Sequence, residues 1–288
     1  MKQNAIASLA ALALLSAGSF AYAAEVTGGN VAVVVQRASV PSASGYQLLC
    51  VPVKGLDITG SATSSNALTL DQVLPPAAYG IEPTDEASIA TKDQCRVTVY
   101  PKEADPVTAK IVASYDTNSA TWSYAWKNLE ATSALGGTEL KCGTVLWFYN
   151  PKDKSSSGGS LISALSQGAT ASLAAEDTKS QVTFCGQQNE IENQTAITCG
   201  GNSQLQKIGN ETSEEIFLSN LFTDDNCAVG TQIFRIADKG DVNYTVYKKR
   251  AANSWTKLKP TGGIQAGLSL STIKLAPGEA IYYFAIQP

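Results

Sequence analysis

Apolar residues along this chain come in short runs, five to nine residues at most, separated by turn-forming clusters. Residues 30–36 read Asn-Val-Ala-Val-Val-Val-Gln, a β-branched run expected to form a strand. Further strand-like runs lie at 45–53, 96–100, 107–115, 121–126 and 142–150, and then at 181–186, 195–199, 204–208, 230–236, 242–248, 254–258, 268–275 and 279–286. Asp116-Thr117-Asn118-Ser119, Asp238-Lys239-Gly240-Asp241 and Pro260-Thr261-Gly262-Gly263 supply turn chemistry between neighbours. Helical spacing is confined to short turns at Leu70-Asp71-Gln72-Val73-Leu74, at Leu218-Ser219-Asn220-Leu221-Phe222 and, between them, at 161–165 and 169–175. The first of these is expected to stop at Pro75-Pro76. About fourteen short strands with hardly any helix predict an all-β fold.

The pattern also occurs twice. Leu140-Lys141-Cys142-Gly143 leads into Thr-Val-Leu-Trp-Phe-Tyr, and Leu275-Ala276-Pro277-Gly278 leads into Glu-Ala-Ile-Tyr-Tyr-Phe. Tyr115 with Trp122 is echoed by Tyr247 with Trp255, the strand 96–100 by 231–236, the turn at Leu70 by that at Leu218, and Gln47-Leu48-Leu49 by Gln204-Leu205-Gln206. Five matching signals in one order predict an internal duplication of roughly a hundred residues per copy, longer than solenoid repeats. The expected architecture is two similar antiparallel β-sandwich or barrel-like units. Residues 77–94 have no counterpart in the second series and read as an irregular acidic insertion.

Residues 1–23 have the layout of a secretory signal peptide. Lys2 provides the positive n-region, residues 5–17 the apolar h-region, and Ala21-Tyr22-Ala23 a small-residue cleavage box. That run is shorter than the ~20 residues needed to span a bilayer, so export to the cell surface or medium is expected, with no membrane span. The first β unit then occupies 24–150. Residues 151–181 hold eight serines and no aromatic residue, and read as a Ser/Gly/Ala-rich linker. The second unit occupies 182–288.

Composition narrows the chemistry more than it names it. The 288-residue chain has a net charge of −4 without clustering, which gives no electrostatic footprint for nucleic acid. Lys248-Lys249-Arg250, its one basic run, reads as a solvated hairpin end. The chain contains no histidine, which removes Ser-His-Asp and Cys-His catalysis and the common zinc signatures. No phosphate-binding or dinucleotide-binding glycine pattern appears, and no cofactor is expected.

Six cysteines in an exported chain point to disulfides: Cys50, Cys95, Cys142, Cys185, Cys199 and Cys227. None forms a Cys-x-x-Cys pair. Cys185 and Cys199 flank a polar turn, so a local bridge between them is expected, worth about 3 kcal/mol in the chain-entropy account. Three cysteines fall in each half, so complete pairing would send at least one bridge between the halves.

Three kinds of candidate site remain. Adjacent carboxylates at Asp85/Glu86, Glu214/Glu215 and Asp224/Asp225 are the raw material for two-acid glycoside hydrolysis, although surface charge is their default reading. Asp224-Asp225-Asn226 and Asp238-Lys239-Gly240-Asp241 offer oxygen ligands without the spacing of a calcium loop. Among the tryptophans, Trp147 belongs to a core run, and Trp122 and Trp255 occupy matching positions that predict a shared structural role. Trp126 has no partner in the second series and is the candidate ligand contact. Asn193, Asn210 and Asn243 open Asn-x-Ser/Thr sequons.

The sequence resembles a group of uncharacterised exported proteins of Verrucomicrobia-type bacteria. The likeness rests on Asn30 to Val35, Gly45-Tyr46-Gln47-Leu48, Leu70 to Leu74, Tyr115 with Trp122, and Leu140-Lys141-Cys142-Gly143. In the second series Asn202-Ser203-Gln204-Leu205 stands where the Gly-Tyr opening is expected. The resemblance implies a duplicated exported β protein and carries no activity or site residue. The function expected from all this is a non-enzymatic structural or adhesive component of the cell surface, associating with itself or with other surface components. A carbohydrate-binding module that stacks glycans on exposed aromatics is the alternative.

Overall fold

A computed structural model describes residues 21–26, 30–36, 46–55, 68–80, 82–83, 94–149, 156–157, 180–189, 205–236, 244–258 and 264–286. The predicted 1–23 leader lies outside it except for its last three residues, and so do Cys199, Asp85, Glu86, Asp238, Asp241, Asn193 and Asn243.

Strands dominate, as the alternation predicts, and the sheets are antiparallel apart from one two-residue parallel pairing. The first large sheet contains β3 (Tyr46–Cys50), β5 (Arg96–Tyr100), β6 (Val107–Asp116), β7 (Thr121–Asn128) and β9 (Val145–Tyr149), in the order β3-β9-β5-β6-β7. The second contains β12 (Gln206–Gly209), β14 (Gln232–Ile236), β15 (Tyr244–Ala251), β16 (Ser254–Leu258), β17 (Ile264–Leu268) and β19 (Ala280–Phe284), in the order β12-β19-β14-β15-β16-β17. Both sheets are open, and no barrel closes among the described residues.

Strand by strand, the first five positions of the second sheet follow the order of the first. The flanking elements follow as well. β4 (Leu68–Thr69) pairs with β8 (Glu139–Leu140) and leads into α1 (Leu70–Val73). Likewise β13 (Ile216–Phe217) pairs with β18 (Lys274–Leu275) and leads into a single helical turn, Leu218–Leu221, called α3 here. Between α1 and β5 a further turn, α2 (Pro76–Tyr79), starts on the proline expected only to stop the preceding helix. Proline is tolerated at the first helical position because its missing N–H has no partner there. This start of the expected insertion is part of the core: Tyr79 is buried and meets Phe148 edge-on at 5.1 Å.

Period-two alternation divides the apolar residues among three cores. Leu49, Val51, Val97, Val99, Leu146 and Phe148 face a first core with α1 and α2. Ile233, Tyr247, Trp255, Ile281 and Tyr283 face a second with α3. The opposite faces of the two sheets meet in a third: Leu48, Cys50 and Val145 pack with Ala280 and Tyr282, flanked by Tyr100, Trp147 and Phe234. The apolar runs 145–149 and 280–284 are therefore covered on both sides, as their lack of alternation implies.

A third multi-stranded sheet crosses the expected domain boundary. β1 (Ala21–Val26), β2 (Asn30–Gln36), β10 (Ser156–Ser157) and β11 (Ser180–Gln187) are ordered β1-β2-β11-β10, with Val33 opposite Phe184. The opening strands of the two expected units thus pair with each other. β11 also places Val182 and Phe184 in the first core, within the half to which it does not belong in sequence. Ala21-Tyr22-Ala23, the expected cleavage box, lies in β1 opposite Val35, Val34 and Val33.

The cysteine and tryptophan expectations need correction. Among the described residues no disulfide forms, and Cys50, Cys95, Cys142 and Cys227 keep their thiols. Cys95 lies in the first core with its Sγ donating to the Tyr79 carbonyl at 3.2 Å, and Cys227 lies in the second core. Cys50 and Cys142 face the region between the sheets. The proposed Cys185–Cys199 bridge falls outside the described residues through Cys199. Trp126 is not a ligand contact: it is 1% exposed, and its indole N–H donates to the Leu74 carbonyl at 2.6 Å. Nor do Trp122 and Trp255 share an environment. Trp255 is 3% exposed in the second core, whereas Trp122 is half-buried beside Tyr115, with ring centroids 4.9 Å apart. Trp126, not Trp122, is the buried tryptophan of the first sheet.

Trp126→Phe should therefore cost about 2–3 kcal/mol, through a small cavity and an unpaired buried carbonyl. Trp122→Phe should cost less than about 1 kcal/mol. Urea denaturation of the two variants checks the difference.

Candidate functional site: the polar junction between the sheets

Each Leu-x-x-Gly stretch builds the same local structure. In the first, Thr144 N–H donates to the Lys141 carbonyl at 2.9 Å and Gly143 takes φ +80. In the second, Glu279 N–H donates to the Ala276 carbonyl at 3.0 Å and Gly278 takes φ +71. That positive φ is what a glycine allows at the third position of the turn. Gly143 and Thr144 then both bond Val51, with N–H to Val51 O and Val51 N–H to Thr144 O each 2.9 Å. Gly278 and Glu279 bond Asn210 in the same way, at 3.1 and 2.8 Å. Two residues on one strand facing one on its neighbour make a glycine β-bulge. The bulges place position 50 and position 209 at equivalent points of their sheets.

These equivalent points meet. Cys50 N–H donates to the Gly278 carbonyl at 2.8 Å, and Leu49 forms a bridge with Glu279, so the edge of β3 bonds the second sheet. A Cβ built on Gly209 would lie 2.2 Å from the Cys50 Cβ and 2.9 Å from the Glu279 carbonyl oxygen. Neither is a distance that atoms sustain. Glycine at 209 is thus what permits the Cys50 side chain at the contact.

Around this contact lies a buried polar loop, Asn210-Glu211-Thr212-Ser213, each residue 0–4% exposed. Asn210 Nδ2 donates to the Glu214 and Leu275 carbonyls at 2.6 and 3.0 Å, and its Oδ1 accepts from Thr212 N–H and Oγ1 at 2.9 and 2.7 Å. The Glu211 carbonyl accepts from Asn189 Nδ2 at 2.6 Å and from the Cys142 thiol at 3.2 Å, while its carboxylate pairs with Lys102 of the first half. Ser213 Oγ is buried without a partner. Beside the loop, Arg235 holds Glu279 through two bonds, Nε to Oε1 at 2.5 Å and Nη2 to Oε2 at 2.8 Å. Lys207 places its ammonium 3.7 Å from the centre of the Tyr100 ring and 5.4 Å from that of Tyr282, a cation–π contact spanning the two sheets. Burial pulls the Lys207 pKa down.

The thiols here are held neutral. Burial, the nearby Glu211 carboxylate and, against them, Lys102 leave the Cys142 thiol pushed up to about 12 from an ordinary 9.0. Burial is the first cause of an upward shift at Cys50 too, followed by Cys142 and Glu211. A thiol held protonated at neutral pH supplies little of the thiolate that acts as a nucleophile. No group of three or more metal-binding side chains forms among the described residues.

The other expected candidates do not converge on this place. Asp224 pairs with Lys249 Nζ at 2.6 Å and accepts from Asn253 N–H at 2.9 Å, and Asp225 points to solvent. Glu215 pairs with Lys274 at 2.6 Å on the surface. Asn226 is bound within its own turn, to Thr223 N–H at 2.7 Å and the Leu221 carbonyl at 2.9 Å, so the Asp224-Asp225-Asn226 oxygens do not form a cage. Lys249 corrects the reading of a solvated basic run. It is 3% exposed and also donates to the Cys227 carbonyl at 2.5 Å, while Arg250 beside it is exposed. The Asn210 sequon is occupied by the buried turn and presents no amide to a glycan donor.

Sequence reasoning missed this junction because none of its polar residues shares a motif. The available signal was Gly-Asn-Glu-Thr-Ser at 209–213, a polar run without a turn-flanking proline. Compared with protein-family profiles, curated proteins and solved structures, the chain finds no match.

Gly209→Ala should destabilise the protein by about 1–3 kcal/mol through overpacking. Part of that cost should disappear in the Cys50→Gly background, giving a positive coupling in a double-mutant cycle measured by urea denaturation. A second expectation concerns pH. Above the unfolded thiol's pKa near 9.0 the unfolded chain releases a proton that the folded chain keeps until about 12. Stability is therefore whole below about pH 9 and falls as pH rises through that window. Cys142→Ser should flatten the decline between about pH 8 and about pH 10.5, again read from urea midpoints.

Proposed function

We propose that this chain is an exported, non-enzymatic structural or adhesive protein of the cell surface or extracellular matrix, built from two copies of one β unit. One observation carries the reading: a buried polar loop, Asn210 to Ser213, lies where the two halves meet, and its Glu211 bonds Lys102 and Cys142 of the first half. Asn189, Asn210 and the Arg235–Glu279 pair hold that loop and its neighbourhood from within the second half. The equal order of five strands and the paired glycine bulges support a duplication, and the leader-like residues 1–23 support export.

Cell fractionation with an antibody against the folded protein is expected to find it in the envelope or the medium. Purified protein is expected to leave glycan and peptide libraries uncleaved. Turnover that is lost on Asp224→Asn or Glu215→Gln would overturn the reading.

Carbohydrate binding is the second reading, and one observation favours it. Tyr115 and Trp122 form a half-buried ring pair near the tip of the β6–β7 hairpin, a surface on which a sugar face can stack. Glycan-array binding that disappears with Trp122→Ala and persists with Trp126→Phe would select it.

A further inference from the structure

Two cysteines far apart in sequence come to the junction together. Cys50 ends β3 and is buried in the third core. Cys142 is half-buried in the turn that opens β9, next to Gly143, whose N–H donates to the Val51 carbonyl at 2.9 Å. The glycine bulge thus sets Cys142 beside the stretch of chain that carries Cys50. Both sulfurs also meet one short segment of the second half. A Cβ built on Gly209 would lie 2.7 Å from the Cys50 Sγ, and the Cys142 Sγ lies 3.2 Å from the carbonyl of Glu211, two residues further on. Cys95 and Cys227 lie elsewhere, in the first and second cores.

The second half supplies a comparison. Gly209 stands where Cys50 stands, and Pro277 stands where Cys142 does. Both sulfurs are present at one bulge and both are missing from the other, which fits a joint role for the pair. The surroundings allow the two to turn towards each other. Gly209 has no side chain to confine the Cys50 sulfur, and the Glu211 carbonyl keeps the Asn189 Nδ2 donor at 2.6 Å when the Cys142 thiol leaves it.

We propose that Cys50 and Cys142 form a disulfide site, oxidised as the exported chain folds, which clamps β3 to the turn opening β9 at the contact between the halves. The co-reactant is a disulfide-carrying oxidoreductase or small disulfide of an oxidising compartment. The Cys142 thiolate attacks one oxidant sulfur, and the other leaves as a thiol. The Cys50 thiolate then displaces the attached sulfur. One S–S bond forms, two cysteine protons are released, and two electrons reduce the oxidant to its dithiol or to two thiols. Exchange precedes closure of the third core, because the folded surroundings hold both thiols protonated. The proposal rests on the export reading only for the source of the oxidant.

Refolding the reduced full chain in a buffer of oxidised and reduced glutathione tests it, with N-ethylmaleimide trapping the remaining thiols. Far-UV circular dichroism confirms that strands have re-formed, and peptides are then mapped by mass spectrometry without reduction. The expected main product is a linked pair of peptides carrying Cys50 and Cys142, lighter by two hydrogens than the separate thiol peptides. That protein should also show a higher urea midpoint than the same protein after reduction, a difference that vanishes in Cys142→Ser. Recovery of Cys50 and Cys142 as maleimide adducts overturns the proposal. So does a link from either one to glutathione, Cys95, Cys185, Cys199 or Cys227. Because the oxidant is added in the tube, a missing bridge counts against the pair, whereas a cytoplasmic location on fractionation counts against export.

Discussion

Two β-sheets can touch backbone to backbone only where side chains make room, and in this protein that place is Gly209 against Cys50. With the Cβ of Gly209 absent, β3 comes close enough for Cys50 N–H to reach the Gly278 carbonyl. The third core then closes around the contact, with Leu48, Val145, Ala280 and Tyr282 removed from water together. Much of the remaining architecture follows from this approach. The Leu-x-x-Gly bulges set the two strands at equivalent heights, and the buried Asn210 loop fills the space that the bulges open. A side chain at 209 would push the sheets apart and expose the apolar faces that make both closing strands continuous in hydrophobicity.

The polar groups of the junction illustrate why burial of charge is compatible with a stable fold. An unpaired carboxylate or ammonium in such a place would be costly. Glu211 has Lys102, Glu279 has a bidentate Arg235, and Asn210 uses both of its amide atoms. Paired this way, the groups contribute geometry more than net energy, because hydrophobic replacements of equal shape often do as well. The Glu211 bonds to Lys102 and Cys142 tie the two halves, and those of Asn210 and of Arg235 with Glu279 shape the second half at the contact. The same surroundings keep the Cys50 and Cys142 thiols protonated, so the cysteines at the junction act as small apolar side chains.

The two halves are joined a second way, through strands that had seemed to belong apart. β11 crosses to pair with β2 and lends Val182 and Phe184 to the first core. A boundary drawn where composition changes therefore separated residues that pack together. Composition reports chain flexibility, and packing partners are a different property.

Local patterns were enough for much of this molecule. Short apolar runs specified strands because a strand needs only its own alternation and a nearby turn, and the closing runs at 145–149 and 280–284 announced two-sided burial by lacking polar positions. The glycines at 143 and 278 were legible because positive φ restricts the residue type. Tertiary structure alone decided the rest. Trp126 became a core residue and Trp122 a surface one, because β7 runs past the end of the first core and leaves Trp122 beside Tyr115. Lys249 was buried by Asp224 and Cys227, more than twenty residues away in sequence, and no local signal marks such a contact. Cys95 and Cys227 fell into separate cores, whereas Cys50 and Cys142 face the junction together. Which edges are covered, which carboxylates find cations and which strands change halves depend on distances between remote residues, and a linear pattern carries information about near neighbours only.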